Sequence, residues 1–120
     1  ALAAQAGMMA RAAMEMGWWA DVLLRRTAPF YDVVIAGDAD DAGTRALVDA
    51  YREVAPSHAV LAVVPADGAD AATLAALPAV AGKGARDGRA TAYVCVLGAC
   101  KVPVYDPGDL KRQILEGWNR

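Results

Sequence analysis

Residues 32–64 read DVVIAGDADDAGTRALVDAYREVAPSHAVLAVV, and the reading of this stretch decides the fold. DVVIAG (32–37) is a short apolar, β-branched run closed by a glycine, the pattern of a buried strand. From Asp40 or Asp41 to Val54 the periodicity changes. Leu47, Val48, Tyr51 and Val54 recur at three- and four-residue spacing behind an aspartate that can cap a helix N-terminus. Pro56 and Ser57 stop that helix, and AVLAVV (59–64) is a second buried strand. A strand, a helix and a strand in so short a stretch form a βαβ unit, which predicts parallel strands joined by a right-handed crossover.

Towards the C-terminus, residues 67–77 predict a short Ala-rich helix stopped by Pro78, and VAGKGARDGR (80–89) a Gly-rich loop. ATAYVCV (90–96) is a third strand. KVPVY (101–105) is a fourth, which Pro103 demotes to an edge. The last helix has strong start signals: Asp106 at the cap, Pro107 at the first helical position and Asp109 three residues after the cap. Leu110, Ile114 and Trp118 follow at four-residue spacing and predict its inner face. The expected fold class is α/β: a small, mainly parallel sheet with its first two strands central, a C-terminal hairpin-like strand pair, and covering helices.

Towards the N-terminus, residues 2–26 predict a long helix with Leu2, Met9, Met16 and Leu23 at spacing seven, weakened by Gly7 and Gly17. On a helical wheel Arg11, Glu15, Asp21, Arg25 and Arg26 share one arc, and Trp18 and Val22 fall inside it. Either Trp18 lies flat on the rim, or this helix has a second packing partner. Pro29 then divides the chain into an N-terminal helix (1–28) and an α/β domain (29–120).

Composition bounds what such a domain can do. The chain has 120 residues, 12 Lys+Arg against 14 Asp+Glu and a net charge of -2, which excludes a strongly basic nucleic-acid binder. No stretch has the uncharged apolar length that crosses a bilayer, so neither a membrane nor a nucleic acid is an expected partner. Of its residues 29 are Ala and only 26 are Leu, Ile, Val or Phe, so the core is built from few large side chains. The first residues lack a basic n-region, and two cysteines are too few for a secreted disulfide scaffold. A cytoplasmic location is therefore expected. The start at Ala1 without Met leads us to expect a piece of a longer chain.

Three constellations could carry chemistry. GDADDAGTR (37–45) lies at the carboxyl end of the first strand, where open α/β sheets bind ligands. Its carboxylates Asp38, Asp40 and Asp41 repel phosphate, and the glycines do not fit a dinucleotide fingerprint. Asp38, Asp40, Gly43 and Asp49 stand at positions one, three, six and twelve of a calcium loop, but Ala42 replaces the fifth-position ligand. Helix capping or a small-ligand site remain. GKG (82–84) lacks the Walker spacing and reads as a flexible solvated loop, and His58 has no nearby acid or nucleophile. No metal or cofactor is predicted. Cys95 and Cys100 carry the third constellation. If Leu97 and Gly98 form a two-residue hairpin loop, the cysteines lie directly opposite as a non-hydrogen-bonded pair within disulfide reach. They are then either a dithiol redox pair or two reduced, half-buried core cysteines.

The stretch DGRATAYVCVLGACKVPVYDPGD (87–109) resembles the C-terminal end of the thioredoxin-domain-containing protein family related to spermatogenesis-associated protein. That family ends in a signature close to G-x-x-TAYVC-x-x-x-x-C-x-x-P-x-x-DP-x-x-L. Gly88, Thr91, Ala92, Tyr93, Val94, Cys95, Cys100, Pro103, Asp106, Pro107 and Leu110 occupy its positions. DVVIAGD with Thr44 and Leu47 resembles the segment upstream of that tail, so the likeness covers residues 29–115. It implies a long parent chain with a thioredoxin-like domain followed by an α/α toroid like that of sugar epimerases and six-hairpin glycosidases. The thioredoxin cysteines and the toroid pocket would lie outside these 120 residues.

Three functions compete. The first is a non-catalytic accessory domain that packs on the remainder of its own parent chain, Trp18 and Val22 belonging to that contact and mediating self-association when uncovered. The second is a dithiol redox module using Cys95 and Cys100. The third is a small-ligand module at the strand ends near Asp38, Asp40 and Asp41.

Overall fold

The computed structural model describes Val22, residues 30–54 and residues 59–116. The predicted N-terminal helix, with Trp18, lies outside the described residues, apart from Val22, which is helical and half-buried. His58 and Trp118 also lie outside them.

The described chain runs β1 (Tyr31–Ala36), α1 (Ala42–Val54), β2 (Ala59–Val64), α2 (Ala71–Ala76), a 3-10 turn (Pro78–Val80), β3 (Thr91–Val96), β4 (Ala99–Cys100) and α3 (Pro107–Glu116). The strands form one sheet in the order β2-β1-β3-β4. β1 and β2 are parallel, with Val33 opposite Leu61. The βαβ unit is thus present.

The sheet is mixed rather than mainly parallel. β3 runs antiparallel to β1, with Val33 opposite Val94, and antiparallel to β4. The reason lies in the connection between β2 and β3. A parallel β3 would need a crossover returning the chain along the whole sheet, but α2 has six residues and so spans only about 9 Å, against about 20 Å for a six-residue strand. The chain therefore enters β3 at the end where β2 left. β1 and β3 take the centre and β2 an edge, contrary to the expectation that β2 is central; Val60 and Val63 are accordingly 41% and 47% exposed.

Alternation along the strands divides the core into two layers. On one face Tyr31, Val33 and Ile35 of β1 and Ala92 and Val94 of β3 pack with Leu47, Ala50 and Tyr51 of α1 and Leu110 and Ile114 of α3. On the other face Val34, Ala36, Val64, Tyr93 and Cys95 pack with Val80 from the 3-10 turn, flanked by partly buried Ala62, Ala69 and Leu74. α1 and α3 lie side by side, linked at the surface by Lys111 Nζ and Glu53 Oε2 at 2.7 Å. Exposed pairs of this kind contribute little; the apolar layer holds the helices.

The predicted fourth strand is also interrupted. Lys101 N–H donates to Val94 C=O at 2.9 Å, whereas Ala92 pairs with Val104, so one extra residue has entered the 101–104 side. This is a bulge. Pro103, without an N–H, sits in it, where no ladder bond is lost.

Candidate functional site: the carboxyl-end cleft and the Cys95–Cys100 hairpin

The β1–α1 loop, the β2–α2 loop and the entry to β3 meet at one end of the sheet. Gly37 N–H donates to Val64 C=O at 2.9 Å, and Ala66 N–H donates to Asp38 Oδ1 at 3.3 Å. Asp38 thus ties the two loops together. Asp41 caps α1: its Oδ2 accepts from Thr44 N–H at 3.1 Å and from Thr44 Oγ1 at 3.4 Å. Asp40 is exposed, and its backbone carbonyl accepts from Arg45 at 2.9 Å. The three aspartates share a loop but do separate jobs. Among the described residues no group of His, Cys, Asp and Glu is arranged to hold a metal ion, and Asp49, the twelfth-position residue of the calcium pattern, lies within α1.

A cleft of about 430 Å³ opens beside this loop, lined by Asp41, Gly43, Gly88, Arg89, Tyr105 and Asp106, among others. A smaller one of about 170 Å³ adjoins it around Gly37, Asp38 and Ala66 and shares Asp41, Gly88 and Arg89. The cation on their wall is set by a turn that composition hides. Asp87 and Gly88 both have positive φ, 54° and 67°, between paired Arg86 and Arg89. This is the two-residue turn for which Asp-Gly is the preferred dipeptide. Arg89 stacks on Tyr105, its guanidinium carbon 3.9 Å from the ring centroid, and Tyr105 donates its hydroxyl to Asp87 Oδ2 at 2.9 Å. That bond holds the Tyr105 phenol above its usual range, because ionisation would place its charge against Asp87.

Reading residues 80–89 as a Gly-rich loop, flexible at GKG (82–84), missed Arg89 as a cleft residue, for which DG inside RDGR was the available signal; Tyr105 and Asp106 were missed too, with no such local cue. The loop is in fact tied down. Lys83 Nζ donates to Ala79 C=O at 2.6 Å, Ala85 N–H to Ala66 C=O at 2.7 Å, and Arg86 N–H to Thr91 Oγ1 at 2.9 Å. Tyr93 donates its hydroxyl to the Gly84 carbonyl at 2.5 Å. The cleft walls among the described residues offer charge and hydrogen bonds, from the carboxylates of Asp41 and Asp106, the Arg89 guanidinium and the Tyr105 ring.

The cysteines stand elsewhere, on the β3–β4 hairpin. Cys95 and Cys100 are register partners and form a disulfide, with Cα atoms 3.9 Å apart. Leu97 and Gly98 make the loop with φ of 51° and 82°, the positive pair that a two-residue turn demands. Cys95 is 3% exposed in the second core layer, whereas Cys100 is exposed. The chain matches no family model, no curated protein and no solved structure.

Proposed function

We propose that residues 29–120 form a non-catalytic accessory α/β domain of a larger protein that combines a thioredoxin-like domain with an α/α toroid. One observation carries the reading: the polar groups of the TAYVC stretch are spent on the domain's own backbone. Thr91 Oγ1 donates to Arg89 C=O at 2.9 Å while accepting from Arg86 N–H, and Tyr93 is bonded to Gly84. Asp106 precedes α3, its carbonyl accepting from Leu110 N–H at 3.1 Å. A motif consumed in this way builds a scaffold, and catalysis would fall to the rest of the parent chain. Trp18 and Val22 are the proposed contact with that remainder, Trp being the type most enriched at interface hot spots. The test is calorimetric titration of the 120-residue chain with a separately produced polypeptide carrying the other two domains. Binding tighter than about 10 μM that Trp18→Lys weakens supports the reading, and no heat at that range would count against it.

A second reading, a small-ligand module at the strand ends, has the clefts beside Asp38 and Asp41 in its favour. It requires amide shifts in a fragment screen to cluster at Gly88, Arg89 and Tyr105, and Arg89→Ala to abolish them.

A further inference from the structure

We propose that Cys95–Cys100 is a thiol–disulfide exchange site at which an external dithiol attacks the sulfur of Cys100, with Cys95 as the leaving thiol. The two sulfurs differ in access. Cys95 lies in the second core layer at 3% exposure, beneath the sheet face that Val34 and Tyr93 share. Cys100 is exposed on the short outer strand, next to Leu97, Gly98 and Ala99, all exposed. Exchange needs the incoming thiolate to approach one sulfur in line with the S–S bond, and only the Cys100 side offers that approach.

The bond is also placed so that opening it leaves the fold standing. It closes a loop between residues five apart, so the chain-entropy stabilisation it confers is at the low end. Neither core layer contains Cys100, and β3 remains held by β1 over six paired residues. Leaving-group stability points the other way. Asp32 is the register partner of Cys95 on the same face of the sheet, and its carboxylate opposes a thiolate there. Access decides, because burial shields the Cys95 sulfur from an incoming thiolate.

A thiolate of the external dithiol bonds to Cys100 Sγ; the S–S bond breaks, and Cys95 Sγ leaves with the electron pair and takes up a proton. The second thiol of the reductant then attacks its own sulfur in the mixed disulfide, and Cys100 leaves as a thiolate and is protonated. Two electrons and two protons pass to the cysteines, and the dithiol becomes a disulfide. With a monothiol the second step is missing, so Cys95 returns to attack Cys100 Sγ and expels it.

Reduced glutathione is therefore the diagnostic probe. The oxidised full chain is exposed to it without denaturant, quenched with N-ethylmaleimide and mapped by peptide mass spectrometry. Glutathione on Cys100 and maleimide on Cys95 are expected, in about ten-fold excess over the reverse pattern. Glutathione mainly on Cys95, an even split, or a bond that opens only in denaturant would overturn the proposal. Single variants give a second reading. In reduced Cys95→Ala, Cys100 should react with dithionitrobenzoate under native conditions, whereas in Cys100→Ala the Cys95 thiol should react about ten-fold more slowly and reach the same rate on unfolding. Equal native rates in two folded variants would sink it. Should Cys95→Ala fail to fold, the wild-type peptide map decides alone.

Discussion

Gly37 shows how a single position joins the two halves of the βαβ unit. A Cβ there would lie 2.2 Å from Thr44 Oγ1 and 3.0 Å from the Cβ of Ala90, so α1 can approach β1 and the entry to β3 only because nothing projects. Gly37→Ala should therefore destabilise the chain by about 1–3 kcal/mol, the usual cost of overpacking a tight site. Since the nearest clash is with the Thr44 hydroxyl, Thr44→Ala should relieve part of it. Urea denaturation of the single and double variants checks this: the double should fall short of additivity. The tyrosines give a second prediction at this scale. Burial pushes the Tyr51 phenol up, and the bond to Asp87 pushes Tyr105 up. Both folded values lie above the unfolded one, so the associated stability is full below about pH 10 and fades as pH rises through the folded values. An ultraviolet titration should lose one late-ionising phenol in Tyr51→Phe and one in Tyr105→Phe. Asp70 behaves oppositely: the Thr73 N–H holds its carboxyl below the usual range, and its stabilisation is lost as pH falls through that value.

Among the elements, the β3–β4 hairpin departs furthest from local preference. Its loop places Leu97 at φ 51°, and the side chain is 96% exposed, so the leucine accepts left-handed strain without packing in return. Asparagine tolerates that conformation better. Leu97→Asn should stabilise the chain by roughly 0.5–1 kcal/mol, read as a higher melting temperature; no gain would mean the turn is not the positive-φ type. The sequence left this register conditional because Leu-Gly is a poor turn dipeptide. The cross-strand bond and the Lys101–Val94 pairing fix it instead. α1, by contrast, was legible to within a residue or two, since an aspartate cap and an apolar stripe at helical spacing act locally. Asp41 rather than Asp40 is the cap because its carboxylate, three residues before Thr44, reaches that N–H.

For the whole molecule, the core that few large residues can build is thin, and α3 is its keystone. Leu110 is fully buried between α1 and the sheet. Leu110→Ala should cost about 2–5 kcal/mol, a large share of the roughly 5–15 kcal/mol typical of a domain. Calorimetry should then show a transition lowered by several degrees or lost, and a shift within error would mean α3 contributes little. The first three strand positions, the βαβ unit, the α3 start signals and the inner positions Leu47, Tyr51, Leu110 and Ile114 were determined by the sequence alone, because β-branched runs, caps and helical spacing act over a few residues. The direction of β3, the edge position of β2, the bulge at Pro103 and the meeting of Asp41, Arg89 and Tyr105 were decided only by tertiary structure. Each depends on how far a connection can reach and on which side chains a sheet end brings together across tens of residues, and no local pattern encodes those distances.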